Sequence, residues 1–436
     1  MTDALTYGFI AIGCLIALAA FGVPIAFSIG IVGGVGLYLT GGSVFLFATI
    51  QSLPYSISSE YSFAVIPMFV LMGAIAGYSG IISELYGAVN RWTEGVRGGL
   101  LMATTLASAG FAAVSGSTIV NAAMFTRIAL PEMIKRGYHR GVSAGAIAAA
   151  GTFAALIPPS LTFVVFGIMT EQSIGKLFMA GILPGVLTAG CYLLAIPVIG
   201  RIRPKWFPRE TARSTLREKI VGLRGIWPML VLVFIVLGGI YSGITPPTAA
   251  GAIGAVGALG ISLARRKLTG GDLWLSMRQT AELTSVLFVL IIAGVFFSRF
   301  LVLSGFVTDL TNLVTNSGLS AGGFIVVMVL MYLVLGMFID PLSMLVMTVP
   351  FIFPVVQAYG LNPIWFGVIL CKMIEIGVVT PPVGLNLFAV VSASEGKVKI
   401  GELYLGVMPF ILIEMVVLTV LILFPEISTY LPDLMN

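Results

Sequence analysis

The chain has 436 residues, of which 58% are hydrophobic and only 9% charged, and its net charge is +5. Soluble domains carry roughly 25% charged residues, and so apolar a chain would expose too much apolar surface to stay in water. Nucleic-acid binding is excluded as well, because the cations sit in a few short loops.

The apolar runs 227–263 and 403–424 are each long enough to cross a hydrocarbon core about 30 Å thick. In lipid they must be helices, because every backbone N–H and C=O needs an internal partner. The N-terminus lacks a basic region, the first cation being Arg91, so no cleavable signal peptide is expected. Two helices are predicted over 4–40, then an outer connector and a third span at 62–82. Segment 98–134 begins and ends beside basic residues, Arg91 and Arg97 before it and Lys135, Arg136 and Arg140 after it. Positive charge marks cytoplasmic loops, so this segment is either two short spans or a re-entrant hairpin. The polar Ser115-Gly116-Ser117-Thr118 at its centre favours a hairpin tip. A broken span at 141–171 and a span at 177–200 follow. The next loop carries Arg201, Arg203, Lys205, Arg209, Arg213, Arg217, Lys219 and Arg224 against Glu210 and Glu218, and reads as cytoplasmic. So do Arg265, Arg266 and Lys267, and Lys397 with Lys399. Segments 40–62, 171–176, 242–247 and 358–363 are nearly free of cations and fit the outer side.

The second half repeats the first. At a shift of 223, Pro24 meets Pro247, Pro131 meets Pro354, Gly137 meets Gly360, and Pro158-Pro159 meets Pro381-Pro382. A shift of 225 pairs Tyr78-Ser79-Gly80-Ile81 with Leu303-Ser304-Gly305-Phe306. Gly137 lies in a basic loop and Gly360 in a cation-free one, so the copies are predicted to be inverted, a mark of secondary transporters. The predicted fold is an all-α polytopic membrane protein. Residues 1–200 form the first inverted repeat, 201–225 a basic cytoplasmic linker, and 226–436 the second repeat, with a hairpin at about 325–357 and a broken helix at 363–394.

Two consecutive prolines break a helix and free its carbonyls, and such breaks supply ion ligands in transporters. Small or hydroxylated residues flank both: Gly151, Thr152 and Ser160, then Gly377, Thr380, Gly384 and Asn386. A single break would read as a packing kink; a repeated one beside a hairpin reads as a site. The first tip, with Asn121 one turn on, concentrates hydroxyls, unless these bond back to their own helix. Its counterpart runs from Gly336 through Asp340 to Ser343. Charges within the apolar segments are costly and so informative. Lys372 and Glu375, at i and i+3, either neutralise one another or leave Lys372 facing the pathway to attract an anion. Glu60, Glu84, Glu282, Arg299 and Glu414 read as interfacial, and His139 as solvated. Cys14, Cys191 and Cys371 read as small core residues. No metal-ligand spacing, catalytic cluster or phosphate-binding glycine loop is present, which argues against an enzyme.

The stretches Gly336-Met337-Phe338-Ile339-Asp340, Glu375-Ile376-Gly377-Val378-Val379-Thr380-Pro381-Pro382-Val383-Gly384-Leu385-Asn386, and Ser115-Gly116-Ser117 with Ile157-Pro158-Pro159-Ser160 resemble the large membrane subunit of TRAP (tripartite ATP-independent periplasmic) transporters, the DctM-like family. The resemblance covers essentially the whole chain. It implies a Na⁺-driven importer of a small organic anion, a carboxylate or sulfonate, in the bacterial inner membrane. It also implies an elevator-type fold, in which hairpins and broken helices slide against a lipid-facing scaffold. The implied partners are a periplasmic substrate-binding protein and a small four-helix membrane subunit. Carried over, the resemblance points to Ser115, Gly116, Ser117, Gly336, Asp340, Gly377, Thr380 and Pro381 as Na⁺ ligands. Solute contacts are expected from Thr118, Asn121, Thr152, Ser160, Lys372 and Asn386; Asn121 and Lys372 depart from the family pattern and would tune substrate choice. A stand-alone Na⁺/dicarboxylate elevator symporter, needing no binding protein, shares the architecture.

Overall fold

A computed structural model describes residues 2–208 and 214–435; Arg209, Glu210 and Arg213 of the basic loop lie outside the described residues. Every regular element among the described residues is helical. The first half runs α1 (Thr2–Ala20), α2 (Ile25–Ser59), α3 (Val65–Tyr78), α4 (Ile81–Thr93), α5 (Gly99–Ser115), α6 (Thr118–Lys135), α7 (Arg140–Gly151), α8 (Phe153–Leu156), α9 (Leu161–Thr170) and α10 (Ile174–Ile202). A short α11 (Leu216–Gly222) leads into α12 (Trp227–Tyr241), α13 (Pro247–Ala264), α14 (Gly270–Leu303), α15 (Phe306–Asn316), α16 (Ala321–Gly336), α17 (Pro341–Ala358), α18 (Pro363–Val378), α19 (Leu385–Ala393), α20 (Ile400–Leu423) and α21 (Glu426–Asp433). Eight helices among the described residues are long and apolar enough to cross a membrane.

The repeated punctuation of the sequence falls at equivalent joints. Pro24 caps α2 and Pro247 opens α13. Gly80 and Gly305, both left-handed, precede α4 and α15. Both Pro-Pro bonds, at 158–159 and 381–382, are cis. Segment 98–134 is two helices of 17 and 18 residues joined by Gly116 and Ser117 and packed on one another. Each is roughly 25–27 Å long, short of the core thickness. The expected connector at 40–62 is instead helical as far as Ser59, interrupted only at Gly42, where φ is 72°. Its lack of cations placed it as an outer connector, yet Thr49 and Ser52 donate to the carbonyls of Phe45 and Ala48 at 2.8 Å and the helix continues. Leu53 and Ile57 bury against the body.

The broken helices occupy the centre. Every residue from 141 to 151 and from 365 to 378 is buried. Small residues permit this: α7 lies so close to α20 that a Cβ on Gly145 would sit 2.5 Å from the backbone of Gly406. The second half of each broken helix crosses to the other copy, α9 packing on α17 and α18, and α19 on α6 and α7. Helices α2, α3, α13 and α14 pack together as an outer group, and α14 touches the inner group at α17.

Candidate functional site

The two hairpin tips meet. Gly116, Ser117 and Thr118 of the first and Asp340 and Pro341 of the second line one cavity of about 210 Å³. Leu161 and Thr162 of α9 close it on one side, and Leu283 and Leu287 of α14 on the other. Local sequence explains the shape. Gly116 turns the chain at φ 61°, and a Cβ there would lie 3.0 Å from the Pro159 carbonyl, so the tip rests on the first break. Pro341 starts α17, and Asp340 caps it by accepting from the Ser343 N–H at 3.0 Å.

Three helices, α6, α9 and α17, begin at this cavity. Their N-termini bring unsatisfied N–H groups and positive dipole ends to one place, which favours an anion. Ser160 and Asp340 cap α9 and α17, whereas Ser117 precedes α6 without a side-chain cap bond. Beside them lie helix C-termini with the opposite polarity. α5 ends at Ser115, whose hydroxyl is buried and without a hydrogen-bond partner among the described residues. α16 ends at Gly336, which abuts Gly377 near the end of α18; a Cβ on Gly336 would lie 2.4 Å from Gly377 Cα. The second break bonds to the second tip, Gly384 N–H donating to the Met337 carbonyl at 2.9 Å. Among the described residues no three His, Cys, Asp or Glu side chains gather to hold a metal. An ion here would rest on hydroxyls, carbonyls and Asp340, a hard oxygen set that fits an alkali cation, and the orphaned Ser115 hydroxyl is the clearest vacant ligand. Thr380 bonds back to the Ile376 carbonyl at 2.6 Å, leaving its lone pairs and the Pro381 carbonyl for other use.

The remaining expected solute contacts do not line the cavity. Asn121 ties the hairpin arms together, donating to the Ser108 carbonyl at 3.2 Å and accepting from its hydroxyl at 3.1 Å. Thr152 bonds back to the Ala149 carbonyl at 2.7 Å. Ser160 caps α9 and donates to the Ala155 carbonyl. Asn386 reaches the Ala148 carbonyl at 3.5 Å, with its own oxygen buried and unpartnered.

Lys372 lies apart from the tips, between α18, α20 and α10. Its Nζ is 3.0 Å from Glu375, 2.5 Å from Glu414 and 3.1 Å from the Thr188 hydroxyl, and all three charged side chains are 0–1% exposed. Tyr192 donates to the other Glu414 oxygen at 2.5 Å. The self-neutralising pairing read from the i, i+3 spacing is therefore present, extended by a second acid. Glu414, expected at the interface, is instead buried midway along α20. Its position within the apolar run 403–424 was the available signal, but nothing local names a partner 42 residues away. The sequence reading also missed Thr162 and the α14 wall of the cavity, and it passed over Arg127.

The family profile described as "Tripartite ATP-independent periplasmic transporter, DctM component" matches residues 12–427. A C4-dicarboxylate TRAP transporter large permease from Pseudomonas aeruginosa is 35% identical over 87% of this chain and 88% of its own length. An isethionate TRAP transporter permease from Oleidesulfovibrio alaskensis is 32% identical over 94% of this chain and 63% of its own. Among solved structures, the YdaH transporter of Alcanivorax borkumensis superposes with a TM-score of 0.63 at 14% identity, covering 88% of this chain and 89% of that one. The fold is thus that of a multi-span transporter, and the chain belongs to the DctM family of TRAP transporter large permeases.

Proposed function

We propose that this chain is the inner-membrane permease through which a small organic anion, a carboxylate or sulfonate, enters the cell in symport with Na⁺. The observation that carries this reading is the convergence of three helix N-termini on a cavity shared by both hairpin tips, beside an orphaned Ser115 hydroxyl. The first feature favours an anion and the second an alkali cation. A periplasmic binding protein delivers the solute, a small four-helix subunit completes the scaffold, and the hairpins with their broken helices move as the elevator. Relatives named for C4-dicarboxylates and isethionate handle anions of these two classes.

The test is uptake into proteoliposomes holding this chain, its small subunit and its binding protein. Accumulation that ignores the Na⁺ gradient would sink the proposal. Uptake that survives without the binding protein would instead favour a stand-alone symporter. Ser117→Ala loses no cap bond, and Asp340→Asn keeps a good cap residue, so both variants should fold with stability within about 0.5 kcal/mol of the parent. Both should lose Na⁺-dependent uptake; intact Na⁺ dependence in the two would remove the ion from the tips.

A further inference from the structure

We propose that Arg127 is an anion-binding residue on the route from the tip cavity to the cytoplasm, receiving the solute's carboxylate or sulfonate as it leaves; this rests on the reading of the solute as an organic anion. A second cavity of about 300 Å³ lies between the first hairpin and the outer helices, lined among others by Gly77 and Tyr78 of α3, Ile119, Ala123 and Arg127 of α6, and Gln279 of α14. Ile119 also lines the tip cavity, so the two adjoin. Ile119, Ala123 and Arg127 are spaced by four and share one helix face, which carries the route roughly 12 Å along α6 from the tip. That direction leads to Lys135 and Arg136, the basic and therefore cytoplasmic end of the hairpin.

Arg127 is exposed on this face and has no ion-pair or hydrogen-bond partner among the described residues. The one acid of α6, Glu132, pairs with Arg136 at 2.8 Å, and Glu282 of α14 pairs with Arg278 at 2.7 Å. Every other side chain lining the cavity is neutral. A guanidinium left unpaired on a re-entrant hairpin is costly if lipid surrounds it, whereas in a water-filled vestibule it presents a planar fork matched to carboxylate and sulfonate oxygens. The Tyr78 hydroxyl and the Gln279 amide are neutral donors on the same wall.

The experiment maps arginine modification by phenylglyoxal on the full chain in nanodiscs, read by mass spectrometry, with succinate, isethionate or neutral succinamide present. Arg127 should react readily. Succinate or isethionate at about ten times its half-effect concentration should slow that reaction about tenfold, with succinamide inert. Resistance of Arg127 to the reagent, modification that neither anion slows, or equal protection by succinamide would overturn the assignment. No uptake is needed, so loss of Na⁺-driven accumulation in the proteoliposome test would strike the symport reading and leave this assignment to be judged on its own result.

Discussion

Two polar groups lie within the apolar body and are built on opposite plans. Around Lys372, one cation, two carboxylates, a threonine and a tyrosine are enclosed and bonded to each other across α10, α18 and α20. Around the hairpin tips, the Ser115 hydroxyl has no partner among the described residues, Ser117 makes no side-chain cap bond, and three helix N-termini open on a cavity. Buried polar groups are normally satisfied, so an unsatisfied set demands an explanation. A charge in a membrane segment is a conspicuous sequence feature, but a charge enclosed between two carboxylates, of which only the Glu375 Oε1 is left without a partner among the described residues, holds helices together, and the less conspicuous hydroxyls and backbone ends remain available to an ion or solute.

Lys372→Met should do the most damage. It leaves Glu375 and Glu414 enclosed without their cation, and unpairing a buried ion costs about 3–5 kcal/mol. Folded yield and the thermal midpoint in detergent should collapse, and adding Glu375→Gln with Glu414→Gln should recover much of the loss. A stable Lys372→Met protein whose solute preference had changed would instead put Lys372 on the pathway. Next in size is Gly336→Ala. Its Cβ would lie 2.4 Å from Gly377 Cα, which is backbone and cannot swing aside. Overpacking of this kind costs about 1–3 kcal/mol, and it should separate the second tip from its broken helix. Here uptake should fall further than stability; parent-like uptake would mean that the contact between α16 and α18 does not set the cavity.

The hairpins and breaks were legible because their causes are local. Two prolines in a row end a helix wherever they stand, and a segment flanked by cations at both ends cannot cross the membrane once. The same logic singled out Gly116, Ser117, Thr118 and Asp340, which share one cavity. What stayed hidden depends on contacts between distant elements. Asn121 and Asn386 looked like solute ligands, yet they tie neighbouring helices together, a role that only packing reveals. Glu414 looked interfacial because its partners, Lys372 and Tyr192, come from two other helices. Arg127 was overlooked because what marks it is the lack of a partner among the described residues, and a sequence cannot show that Glu132 and Glu282 pair elsewhere. The helical stretch after Gly42 escaped because a lack of cations marks a side of the membrane, not a loop.

A milder change probes charge pairing at the water boundary. Glu84, at the start of the amphipathic α4, pairs with Arg265 at 2.5 Å and with Lys267, joining the two copies as the Lys372 cluster does. Partial burial pushes its pKa up, but hydrogen bonds from Lys267 and Arg265 and their charges outweigh burial and hold it below the usual value. A carboxyl with a lowered folded pKa stabilises fully above its unfolded pKa and loses that contribution as pH falls through the folded one. Water and salt partly screen these pairs at the protein's edge, so Glu84→Gln should cost about 1 kcal/mol or less at neutral pH, and less still in high salt. The parent and the variant should converge in thermal midpoint as the pH is lowered past the ordinary carboxylate range. If their difference instead persisted at acid pH and in high salt, Glu84 would be acting through packing rather than charge. The two copies would then be joined at their wet edge by the same kind of enclosed contact as in the core, and satisfied charge would carry the same weight in both places.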